Sequence, residues 1–155
     1  MKEQLIEAWN TGNKVNLMVV SNISPEGFEK TLSARGGRTV ADQFLHIHGV
    51  RMQWLESVAK DLHKKPGSGA KVDRVDALFL STRLTESGKA IEAFISDSWE
   101  KGGKVSGFKK GLIPFIGYLL SHEAHHRGNI LLTLKLCGYK LTDELKYGIW
   151  EWNKL

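Results

Sequence analysis

The chain has 155 residues, with 22 Lys+Arg against 17 Asp+Glu, 41% hydrophobic and 25% charged residues, and a single cysteine. That length fits one domain, residues 1–155, with one core, and this balance of apolar and charged residues excludes wholesale disorder. Cys137 alone excludes an internal disulfide framework and any cysteine-based zinc finger, and it suits a reducing compartment.

No apolar signal-peptide core follows Met1-Lys2-Glu3-Gln4, and the longest apolar stretch, 112–120, is broken by Pro114 and Gly117. Neither a secretory leader nor a membrane span is expected, and a cytoplasmic protein is the default. The net charge of +5 is spread out: Lys64-Lys65 and Lys109-Lys110 are short pairs in glycine-containing loops, and the other cations are scattered among acids. A nucleic-acid binder needs a basic stripe or aromatic residues interleaved with cations, and neither is present.

Along the chain, residues 2–21 space Leu5, Ile6, Trp9, Leu17 and Val20 as a helix does, with Asn10-Thr11-Gly12-Asn13 a soft spot. Ser24-Pro25-Glu26-Gly27 is a helix-start or turn signal, since proline suits the first helical position. After the loop Ala34-Arg35-Gly36-Gly37-Arg38, Thr39 can cap a second helix, with Asp42 closing a short-armed capping box. That helix runs through Phe44, Ile47, Trp54, Leu55 and Val58 towards Leu62, and the segment Lys-Lys-Pro-Gly-Ser-Gly at 64–69 is the clearest loop. A third helix is predicted at 81–99, with Leu84, Ala90, Ile91, Phe94 and Ile95 on its apolar side, closed by Gly102-Gly103. Pro114 opens a fourth helix that reaches Cys137, with Gly138 as its C-terminal stop, and Thr142-Asp143 caps a short last one towards Trp150 and Trp152. The expected fold is all-α: an antiparallel four-helix bundle with a short C-terminal helix.

Five of the six histidines fall in two windows, His46 and His48 in the second helix and His122, His125 and His126 in the fourth. His122 and His126 are four apart, so they stack on one helix face and can share a metal ion. The same spacing also suits two core imidazoles hydrogen-bonded to neighbouring helices. The second cluster favours metal, because a bundle can bring a third imidazole from a facing helix and leave positions open for substrate. His125 points elsewhere. Helical periodicity places His48 on the apolar stripe of Phe44, Leu45, Met52 and Leu55, and His46 nearer its edge with Gln43, Val50 and Trp54.

The run Leu119-Leu120-Ser121-His122-Glu123-Ala124-His125-His126-Arg127-Gly128-Asn129-Ile130 resembles the hallmark of the DinB-like (DinB/YfiT) superfamily, with Asn129 where glutamine is usual. The second helix is also similar to the family pattern, through Thr39, Asp42, Phe44-Leu45-His46-Ile47 and Trp54, as is the ending Tyr147-Gly148-Ile149-Trp150-Glu151-Trp152. The resemblance implies a four-helix bundle holding one divalent ion (zinc, nickel or iron) through His46, His122 and His126, with His48 as the alternate for the first. It also implies a metal-dependent transferase that activates a low-molecular-weight thiol, acting on a small-molecule substrate, with a homodimer as the expected assembly. Arg51 and Arg127, close to these histidines in sequence, are candidates for holding a substrate carboxylate, although structural ion pairing is the commoner role of such arginines. A non-catalytic metal-binding stress or interaction protein is the alternative.

A third reading comes from His122-Glu123-Ala124-His125-His126, which also satisfies the His-Glu-x-x-His signature of zinc peptidases, with Glu123 as general base and Glu144 as a possible third ligand. It leaves the His46/His48 cluster unused and finds no β-rich segment to hold a peptide.

Overall fold

The structure, a computed structural model, describes residues 1–62 and 75–155; the loop predicted at 64–69 lies outside them. Four long helices, α1 (Lys2–Ser21), α3 (Val40–Val58), α4 (Ala77–Glu100) and α5 (Leu112–Leu136), carry the fold. A single turn, α2 (Pro25–Phe28), bridges α1 and α3, and α6 (Asp143–Gly148) with a 3₁₀ turn (Trp152–Lys154) closes the chain. The described residues contain no strand, only one bridge between Val105 and Phe108. None of the described helices is long and apolar enough to cross a membrane.

The start signals at Thr39 and Thr142 work as their chemistry dictates. Pro114, by contrast, does not open the fourth long helix, which begins two residues earlier at Leu112 behind Gly111, and Ser24 makes no side-chain cap bond. Thr39 Oγ1 accepts from the Asp42 backbone N–H at 3.1 Å while Asp42 returns a bond to the Thr39 N–H at 3.0 Å, so two otherwise unpaired donors are satisfied at the head of α3. Thr142 caps α6 through the Leu145 N–H. Asp76 caps α4 through the Phe79 N–H, which starts that helix ahead of the predicted 81. Gly138 follows α5 with φ of 74°, a conformation that excludes most side chains.

The soft spot at Asn10-Thr11-Gly12-Asn13 is not a break: α1 runs straight through it. A Cβ at Gly12 would lie 2.6 Å from Leu120 Cδ2, so the end of that side chain packs over the glycine and would have to shift to admit a larger residue. Gly117 differs, for it sits on the exposed face of α5 and a Cβ there would meet nothing within 4 Å. Gly117→Ala is therefore expected to raise stability by about 0.5–1 kcal/mol, because alanine loses less backbone entropy in a helix. A thermal melt would read this, and a lowered melting temperature would show that the glycine accommodates something else.

α1 and α3 each pack against both α4 and α5. Cross-helix contacts give the chain directions. Lys2 reaches Glu100 while Trp9 reaches Gly88, so α1 and α4 run oppositely. His46 lies beside His126 and Trp54 beside Tyr118, so α3 and α5 also run oppositely. Gly12 meets Leu120 and Asn16 meets Arg127, so α1 and α5 run the same way. Phe44 and Ile47 share a core with Leu80 and Leu84, and Leu55 shares one with Ile91 and Ile95, so α3 and α4 are parallel too. The expected antiparallel arrangement thus holds for two of the four neighbouring pairs. Periodicity fixes which residues are buried and leaves open which end of the bundle each connection joins.

Two apolar cores result. One gathers Val19, Val20, Phe28, Phe44, Ile47 and Leu134; the other gathers Trp9, Leu55, Ile91, Phe115 and Leu119. Between them lies a buried polar layer to which all four long helices contribute: Asn13 and Asn16 from α1, Arg51 from α3, Ser87 from α4 and Glu123 from α5.

Candidate metal centre

α3 and α5 form a groove because each presents residues at intervals of four towards the other. His46, Val50 and Trp54 line one side, and His126, His122 and Tyr118 line the other in reverse order. At one end of this groove three imidazoles meet. Ring centroids are 5.2 Å apart for His46–His122, and 4.6 Å for both His46–His126 and His122–His126. One nitrogen from each ring can be chosen so that all three lie within 4.8 Å of one another.

His46 Nε2 and His122 Nε2 are 3.3 Å apart. Two nitrogens each about 2.0–2.1 Å from a tetrahedral ion would be separated by roughly 3.4 Å, so this spacing suits a shared metal. The Nδ1 atoms of His122 and His126 are buried with no hydrogen-bond partner among the described residues. The three rings turn towards each other and offer one nitrogen apiece at a spacing that suits a metal site. The residues present fit a divalent ion.

The electrostatics keep the rings neutral. Burial lowers the pKa of all three, and that of His126, only 8% exposed, is pushed down to about 4 by burial and by the neighbouring His122 and His46. The positive charge of Arg38, exposed ahead of the Thr39 cap and without an acidic partner among the described residues, acts in the same direction on each. Neutral imidazoles keep their lone pairs free for a metal.

His48 faces another way. Its Nδ1 lies 3.0 Å from the Arg83 carbonyl oxygen of α4, so it belongs to the α3–α4 contact. Helix α3 is buried on two sides, and the apolar stripe that attracts the periodicity argument is the side towards α4. His125 is exposed and pairs with Asn129, its neighbour one turn on.

Arg51 is not placed to hold a substrate carboxylate. It is 0% exposed, and its carboxylate partner is Glu123, 1% exposed, through Nε to Oε1 at 2.7 Å and Nη2 to Oε2 at 2.8 Å. Its Nη1 donates to Asn13 Oδ1 and the Leu84 carbonyl oxygen, and the guanidinium covers the Trp9 ring at 4.8 Å. Arg127 is half-buried and donates to Asn16 Oδ1 at 2.9 Å, and burial lowers its pKa.

The same network removes the general base that a peptidase would need. Both Glu123 oxygens accept bonds in the core, and Oε2 takes a further one from Asn16 Nδ2 at 2.6 Å. Adjacent residues on a helix point about 100° apart, which sends His122 into the groove and Glu123 into the bundle. Sequence reasoning missed Asn13, Asn16 and Ser87 as members of this layer. The available signal was polar residues at core-facing positions of otherwise apolar helices.

No curated protein and no solved structure matches the chain. The DinB family model matches residues 1–150, nearly the whole sequence, and the chain accordingly belongs to the DinB family.

Proposed function

We propose that the protein binds one divalent ion through His46, His122 and His126 and acts as a metal-dependent transferase of a small thiol. The observation that carries this reading is the convergence of three neutral imidazoles with no carboxylate or thiol among the described residues joining them. Three ligands leave coordination positions for a substrate, whereas a fourth protein ligand would close the site. When bound, a divalent ion supplies the positive charge that lets a thiol ionise near neutral pH, and neutral histidines leave that charge undiminished.

The chain's own residues hold the ion at the groove, keep themselves unprotonated, and leave one side open to solvent where His46 and His122 are only half-buried. The thiol chemistry rests on the family resemblance, and the ligand set rests on the geometry.

Elemental analysis of protein purified without an affinity tag tests the ligand set, with about one ion per chain expected in the native protein and none in a His122→Ala/His126→Ala double variant. Retained metal in the double variant would overturn the site. Conjugation of an electrophile panel with several thiols, metal-loaded against chelated, tests the chemistry alongside casein cleavage. Metal-dependent conjugation supports a transferase. Metal binding without turnover would point to a non-catalytic role.

A further inference from the structure

Beyond the three histidines the α3–α5 groove continues as an aromatic strip. The Tyr118 ring lies 6.3 Å from that of His122, with the two planes tilted by 30°. Trp54 and Phe108 both lie 6.0 Å from Tyr118 and 6.1 Å from each other. Phe115 backs the group at 5.1 Å from Trp54 and is fully buried, whereas Trp54 and Phe108 are half-buried and Tyr118 is 40% exposed.

Two features make this strip available to a ligand. Tyr118 is 40% exposed, and the Trp54 indole N–H has no partner among the described residues without being a buried orphan, so both polar tips are open to solvent or to a ligand. The strip is also continuous with the metal centre, because Tyr118 precedes His122 by one helical turn on the same face.

We infer that Tyr118 and Trp54 form the substrate shelf of the three-histidine centre, and that the molecule reacting there carries an aryl or other flat unsaturated group next to its reacting atom. A flat group laid against Tyr118 would hold the reacting atom beside His122. The Trp54 N–H and Tyr118 hydroxyl could then bond a polar substituent on that group. The shelf itself is independent of the metal; its role beside a reacting atom rests on the reading under Proposed function.

The test uses the full chain loaded with Zn²⁺, after its zinc content has been measured, and two hydroxamic acids that offer a metal the same head group. Titration calorimetry should find benzohydroxamic acid binding roughly three- to tenfold more tightly than acetohydroxamic acid, the range that aromatic pairing supplies. Tyr118→Ala should remove that preference at unchanged zinc content, and Tyr118→Phe should keep most of it. Equal affinities in the unaltered protein, or a preference that survives Tyr118→Ala, would overturn the shelf. If no zinc binds, the metal reading fails on its own, and the shelf is then judged in metal-free protein by saturation-transfer NMR with benzyl alcohol. A signal lost in Tyr118→Ala supports it, and the absence of signal or a signal indifferent to the substitution overturns it.

Discussion

Glu123→Ala is expected to destabilise the protein by about 3–5 kcal/mol, the range for removing one partner of a buried ion pair. The reason is what remains: Arg51, with no exposed surface, would lose both bonds to the carboxylate and keep its charge in the core. Asn16 Nδ2 would lose its acceptor as well. Glu123→Gln keeps the shape but sets an amide N–H₂ against donors where a second carboxylate oxygen stood, so it should be nearly as costly. Replacing both charges, as in Arg51→Met/Glu123→Leu, should recover much of the loss, because a buried pair exchanged for apolar side chains is often close to neutral. Denaturant titration of the unaltered protein, Arg51→Met, Glu123→Leu and the double variant closes the cycle, with Glu123→Ala and Glu123→Gln read beside it. A loss below about 1 kcal/mol for Glu123→Ala would mean that water reaches Arg51 and that the layer is not dry.

That cycle also separates stability from chemistry. A peptidase base replaced by glutamine would cost activity in a protein that still folds. Here the same change should be seen first as unfolding, since the carboxylate is committed to Arg51 and Asn16. It should also disturb the histidines indirectly, because Arg51 and Glu123 tie α3 to α5 across the floor of the groove that His46 and His122 line.

How much of this was legible in the sequence depends on the distance over which each signal acts. The caps at Thr39 and Thr142 are contacts within three residues, so the side chains that define them stand next to each other in the chain. The pairing of His122 with His126 is equally local. His46 against His48 is a question of which neighbour α3 turns each side towards, and a single helix's periodicity carries no such information. Spacing shared with a family resolved what the apolar stripe pointed away from. In the sequence Arg51 reads as a candidate substrate contact and Glu123 as a candidate general base, because their partnership crosses 72 residues and needs the helix directions to be known. Those directions turn on how α3 connects to α4, and most of that connection is a polar, glycine-containing stretch with no periodicity to read.

The three histidines should make the protein's stability depend on both pH and metal. Burial and mutual repulsion hold His126 at about 4 in the folded protein against an ordinary value of 6.5, and His46 and His122 are lowered as well. Between those two pH values the unfolded chain binds protons that the folded chain refuses, so stability of the metal-free protein falls as pH drops from about 6.5 and levels off below about 4. A divalent ion binds only the neutral rings of the folded state, so it adds stability near neutral pH, and protons must displace it in acid. At a free metal concentration one hundred times the dissociation constant the gain is about 2.7 kcal/mol, which for a chain of this size raises the melting temperature by roughly 5–10 °C. His126→Ala should abolish that rise at pH 7.5. It should also flatten the acid limb measured in chelator, because the ring with the largest shift is gone. Thermal melts of both proteins between pH 7.5 and 4.5, with zinc and with chelator, read the two effects separately. An undiminished zinc-induced rise in His126→Ala would remove His126 from the ligand set, and an unchanged acid limb would mean that its ring is protonated as readily folded as unfolded.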